Sequence, residues 1–287
     1  MEKKRSLEIL SLNERRITLY AEGYSLSLLN GVRRTVLSHV PTVAIDFAYF
    51  YDNNTGVPDE IIAHRLGLIV FDSNEAIKKY KSPEECKNAD EKDSSCFVEI
   101  FLEKSLSDDA DTGVYIKASD LIISDPDVKP VYPETPIVFL APGQRIHMVA
   151  YARLGRGAEH GKWMPASVSI VQYLPRVEYD GSKASEECIK CVEAYPDLAE
   201  KLSRGEKGVI EYKRNINTSA LRYCADSKDI CGDAVKLYYD ENRLLLTVET
   251  TGALRPEIIV AESINTLEVR VKKVLEAVKK AGVVERQ

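Results

Sequence analysis

Three features of the sequence predict an α+β fold. Short apolar runs of strand length, separated by turn residues, fill most of the chain. Amphipathic helical stripes stand near both ends. Between about Tyr179 and Gly232 the composition shifts toward Glu, Lys, Ser and Asp, and this stretch holds four of the six cysteines, as an inserted module would. At roughly 150 residues per domain, 287 residues predict about two domains. A 44% hydrophobic and 29% charged composition is that of a globular chain, not a disordered one.

The N-terminal runs SLEILSL and ITLYAEG read as a hairpin around Asn13-Glu14. A helix follows: Leu29, Val32, Val36 and Val40 recur at steps of three and four, Ser25 is placed to cap it, and Pro41 ends it. VAIDFAYFYDN reads as a strand, and Pro58 opens a second helix, DEIIAHRLGLI, with Asp59 and Glu60 at its favoured end. FVEIFLEK and SVSIVQYL are further strands, and 137–153 reads as a hairpin turning at Pro142-Gly143. VKLYY and RLLLTVET read as strands on either side of a turn at Asp240-Glu241-Asn242. A last helix starts at Pro256 and carries one stripe, Ile264, Leu267, Val271, Val274, Leu275 and Val278, with Gly282 placed to end it. Its roughly 26 residues would span about 39 Å.

No run approaches the roughly 18 apolar residues of a membrane span. The charged N-terminus MEKKRSLEIL has no signal-peptide core, so a cytoplasmic location is expected. Lys and Arg total 39 against 45 Asp and Glu, a net charge of -6, which disfavours broad nucleic-acid binding. The motifs of nucleophilic, zinc-hydrolytic and nucleotide-binding sites are absent, and the four histidines are scattered. No complete active site is legible. Two adjacent arginines, Arg33 and Arg34, sit on the first helix, where they read either as a solvated face or as anchors for another chain.

The cysteines carry more. Set against the bacterial ferredoxin run C-x2-C-x2-C-x3-C-P, Cys188 and Cys191 fall on the second and third ligand positions, Ser185 on the first, and Tyr195-Pro196 at the end. A second run ends at Cys231 and keeps Cys224 in its second position. Because the last cysteine of each run serves the other cluster, one site keeps Cys188, Cys191 and Cys231, with Ser185 at the vacant position, and the other keeps Cys224 alone. The first set fits a [3Fe-4S] cluster, or a [4Fe-4S] cluster with serine or an outside ligand. Free thiols, disulfides and a four-cysteine zinc site are the alternatives. Cys86 and Cys96 read equally as a loop disulfide or as two thiols.

Three stretches resemble one family. NGVRRTVLSHVPTVAID with DEIIAHRLGLI resembles the signature region of RNA polymerase subunits of the bacterial alpha, archaeal D and eukaryotic third-subunit type. LGRGAEHGKWMPAS is similar to that family's second landmark, and TVETTGALRPEIIVAESINTLEVRVKKV to its C-terminal one. The cysteine-bearing insertion resembles the archaeal D form; Val70, where many relatives carry proline, and the incomplete cysteine runs depart from the pattern.

The resemblance implies an alpha-subunit-like dimerisation domain split in sequence, 1–47 plus 237–287. It also implies a mostly β insert domain at 48–178 and a ferredoxin-like module at 179–236. It implies a non-catalytic assembly platform that pairs with a small alpha-like subunit, L in archaea, and recruits subunit N and the second-largest subunit. On this reading Leu29, Val32, Val36, Leu267, Val271 and Val274 form the shared helical core, Arg33, Arg34, His64 and Arg65 face the large subunits, and DNA is not touched. A stand-alone iron–sulfur protein of the ferredoxin type is the alternative.

Overall fold

The computed structural model describes residues 5–214 and 216–281. In chain order the elements are strands β1 (Ser6–Leu12) and β2 (Arg16–Glu22), helix α1 (Leu26–Ser38), strand β3 (Pro41–Asn53), helices α2 (Asp59–Gly67) and α3 (Ala76–Lys79), and strands β4 (Phe97–Ser105), β5 (Val114–Lys117), β6 (Ile122–Ile123), β7 (Pro136–Leu140), β8 (Arg145–Arg156) and β9 (Ala166–Asp180). Helices α4 (Glu186–Cys191) and α5 (Pro196–Ser203), strand β10 (Lys207–Glu211), helix α6 (Thr218–Asp226), strand β11 (Val235–Thr250) and helix α7 (Pro256–Lys280) complete it.

Local chemistry sets many of these boundaries. Asn13 Oδ1 accepts the Arg15 and Arg16 amides and closes the β1–β2 turn. Ser25 Oγ accepts the Leu28 amide at 3.2 Å, capping α1. α7 opens on Pro256 with Glu257 in its first turn and ends on Lys279 and Lys280, a charge order that complements the helix dipole. Gly282 lies outside the described residues.

By internal contacts the chain forms two compact units, where three modules were expected. The first takes the chain through Ser11, Thr18–Asn30 and Ile170–Thr247; the second takes Leu12–Ile17, Gly31–Ser169 and the chain from Val248 onward. The expected boundary at residue 178 falls inside β9, which runs unbroken from Ala166 to Asp180, so the chain offers no linker there.

Most of the first unit's strand residues belong to a five-stranded sheet of order β1-β2-β11-β9-β10. β11 is one strand of 16 residues, so Asp240-Glu241-Asn242 does not turn the chain. The Gly23 amide bonds Asn242 O there, and the side chain of Asp240 accepts the Asn242 amide. The unit's core gathers Val177, Val192, Leu198, Leu202 and Leu221 with Cys188, Cys224 and Cys231.

The second unit is built on a four-stranded antiparallel sheet of order β3-β8-β4-β6, with a separate β5-β7 pair. Its core includes Ile45, Ile62, Leu66, Phe71, Ile100, Leu102, Ile137 and Met148. The Pro142-Gly143 turn forms, with Gly143 at φ +77°, but β7 pairs with β5 and β8 with β3 and β4. The expected hairpin is therefore two strands that leave one turn for different sheets.

Candidate subunit-docking face and the cysteine module

The sequence landmarks meet inside the second unit. Trp163 is 3% exposed and lies against Gly155, where an added Cβ would fall 2.2 Å from its ring. Arg153 and Lys162 stack over the indole, at 4.6 Å and 4.3 Å from its centroid. Lys162 Nζ donates to Ile45 O at 2.8 Å, and Thr42 Oγ1 donates to Trp163 O at 2.9 Å. The C-terminal landmark closes on the same region: the Thr251 amide donates to Pro165 O, and the Ser73 amide to Ala253 O. These motifs act as structural joints.

α7 leaves this region with Ile259, Val260 and Ser263 buried, and thereafter its stripe emerges. Leu267 is half-buried, facing Gly31 of α1. Val271 is 59% exposed and Val274 64%, with Ile264, Val269 and Leu275 exposed beside them. So much apolar side chain on one helix is the mark of a docking surface. The α1 residues expected to share it behave differently: Leu29, Val32 and Val36 are buried within this chain. Leu29 packs with Ala21 and Leu244 in the first unit's core. They serve the chain's own interior because the α1 stripe is covered by its own protein. The exposed apolar residues of α1 are Leu26 and Leu28, both in the first unit.

Of the cations expected to face partners, Arg34 is exposed, and Arg33 is half-buried with its carbonyl accepting Ser169 Oγ. His64 is exposed and lines a shallow cavity of about 190 Å³ with Asp46, His160 and Lys162. Arg65 spends one guanidinium N–H on Ile137 O at 2.8 Å. His39, at the end of α1, is held below its ordinary pKa by burial and by the positive charges of Arg270, Arg156 and Arg34.

The cysteines pair as three disulfides: Cys86–Cys96, Cys188–Cys231 and Cys191–Cys224. The four sulfurs of the ferredoxin-like stretch do not fit the expected thiolate set. Cys188 and Cys231 are bonded to each other, Cys191 is bonded elsewhere, and Cys224, read as the remnant of a lost site, is its partner. Ser185, placed at the vacant ligand position, is the N-cap of α4: its Oγ accepts the Cys188 amide and donates to Ile230 O. Among the described residues no group of three or more His, Cys, Asp or Glu side chains is disposed to hold a metal ion. Spacing alone missed this pairing, since the template supplies ligand positions and not bonding partners.

The chain is 53% identical to DNA-directed RNA polymerase subunit Rpo3 of Aeropyrum pernix, over 98% of both chains. It belongs to the Rpo3 family. Pyrococcus furiosus Rpo3 is 32% identical over 91% of this chain and 92% of its own, and the Methanothermobacter thermautotrophicus protein 30% over 88% and 91%. Residues 45–172 match the RNA polymerase Rpb3/RpoA insert domain. Within the second unit this family segment spans the β3-β8-β4-β6 sheet from Ile45 onward. The family is that of a subunit of DNA-directed RNA polymerase, a nucleotidyltransferase complex. Among the described residues no helix is long and apolar enough to cross a membrane.

Proposed function

We propose that this chain is the non-catalytic assembly platform of a DNA-dependent RNA polymerase of the archaeal D type. That enzyme copies DNA into RNA from the four ribonucleoside triphosphates. The chain pairs in the cytoplasm with a small alpha-like subunit, L, and the pair recruits subunit N and the second-largest subunit. The observation that carries the reading is the bare apolar stripe of α7, with Val271 and Val274 in solvent. Covering one such side chain stabilises by roughly 1.5–3 kcal/mol, so a partner helix laid along the stripe gains enough to hold a permanent pair. The net charge of -6 supports a place away from DNA. Disulfide pairing of the four cysteines of the ferredoxin-like stretch favours this reading over the ferredoxin-type alternative.

Co-expression with a small alpha-like subunit, followed by size-exclusion chromatography, tests this. A one-to-one complex is expected from the wild-type chain. Two separate peaks from two folded chains would overturn the reading.

A further inference from the structure

The second unit carries another open surface. One face of the β3-β8-β4-β6 sheet packs on the unit's core through Phe50, Val98, Ile100, Leu102, Met148 and Ala150. Register places the opposite side chains in rows: Phe47 beside Tyr151 and Glu99; Tyr49 beside Val149, Phe101 and Ile122; and His147 beside Glu103. Four of the rings form one cluster, and Tyr51 pairs with His147 apart from it. Phe47 stacks on Tyr151 at 5.1 Å and meets Tyr49 and Phe97 edge-on at 5.8 Å, and Tyr51 lies 5.0 Å from His147. Tyr49 is 46% exposed and Tyr51 64%, with Phe101 and Ile122 exposed beside them.

The charges around the rings are one-sided. Tyr151 donates to Glu99 at 3.2 Å and Tyr49 to Glu91 at 2.8 Å. Neither carboxylate has a cation partner among the described residues, and neither does Glu103. The arginines of the same face are already engaged, Arg153 by Asp46 and Glu159 and Arg145 by Asp52. The Cys86–Cys96 disulfide closes the loop that carries Glu91. Burial and Glu99 push the Tyr151 phenol up to about 12, so it remains a donor to that carboxylate.

We propose that this aromatic, carboxylate-edged face binds a lysine- or arginine-bearing segment of a partner protein. The cations would lie over the Tyr and Phe rings and pair with Glu91, Glu99 and Glu103, and the segment's apolar atoms would cover Phe101 and Ile122. Charge complementarity selects this occupant. A nucleic acid could stack on the rings but would set its phosphates against three carboxylates, and a second copy of the face would oppose like charges.

The test uses the full chain and a short fluorescent peptide of alternating arginine and threonine, followed by anisotropy. An alternating glutamate–threonine peptide and an oligothymidylate serve as comparisons. Saturable binding of the arginine peptide is expected, weakened roughly fivefold in E99Q/E103Q and about threefold in Y51A. It should be unchanged in E14Q/E241Q, which removes the same charge from exposed sites elsewhere. All four proteins should give the same circular dichroism, since Glu14, Tyr51, Glu103 and Glu241 are exposed and Glu99 is only partly buried. The proposal is overturned by absent binding, by equal loss in E14Q/E241Q, or by preference for the oligothymidylate or the acidic peptide. Each of these outcomes leaves pairing with a small alpha-like subunit, read by chromatography, untouched.

Discussion

A methyl group at Gly155 would meet Trp163 Cε2 and Cδ2 at 2.2–2.3 Å, against an indole that Arg153 and Lys162 also lie over. Gly155→Ala should therefore destabilise by about 1–3 kcal/mol through overpacking. Trp163 is the sole tryptophan, so its own emission during urea titration measures the loss. His39 gives a prediction in pH. Its folded pKa lies below the ordinary 6.5, so the fold disfavours its charged form. That stability is intact above the ordinary value and is lost as pH falls through it toward the lowered one. His39→Gln should flatten the decline in melting temperature between about pH 7 and pH 5. At this scale the sequence was legible where the bond is local: Asn13 and Ser25 could be assigned their roles from neighbours two or three residues away. The service Gly155 renders Trp163 was not, because it depends on how β8 carries one residue against a turn eight positions on.

Among the elements, α7 and α1 make opposite predictions from the same residue type. Val271→Glu and Val274→Glu fall on exposed positions, so the isolated chain should keep its helical circular dichroism and melting temperature while losing its partner on a sizing column. Val36 is wholly buried, and Val36→Glu should cost more than about 3 kcal/mol and leave no folded chain to assay. The spacing of both stripes was plain in the sequence. What it could not say is which stripe the chain keeps for itself, since periodicity reports an apolar face and not what covers it. The strands followed the same rule. β7 and β8 were found in place, but their partners lie on β5, β3 and β4, a choice made by contacts far away in sequence.

At the scale of the whole molecule the two crosslinks of the ferredoxin-like stretch are nested. They join residues 33 and 43 apart, and eight residues, 189–190 and 225–230, lie between them. The inner bond restricts the unfolded chain by about 4 kcal/mol on the loop-entropy account; the outer then closes a ring of only about ten residues and adds about 3. Cys191→Ser/Cys224→Ser and Cys188→Ser/Cys231→Ser should each lower the melting temperature, and the two effects should not sum to the loss seen when both bonds are reduced. The cysteine positions were visible as a module from composition alone, but their pairing is a property of the folded chain.

The path of the chain between its two units has a consequence for its synthesis. The backbone passes from one unit to the other five times, and the second unit includes α7. The first unit cannot be completed until Thr247 has left the ribosome, and the second not until the last helix has. At roughly 5–20 residues per second, a nascent chain spends on the order of ten seconds or more with both interiors unfinished, so the order in which domains usually fold as they emerge is unavailable to it. Both units therefore wait on late stretches of the chain, and the exposed apolar face of α7 is made only after both interiors have begun to form.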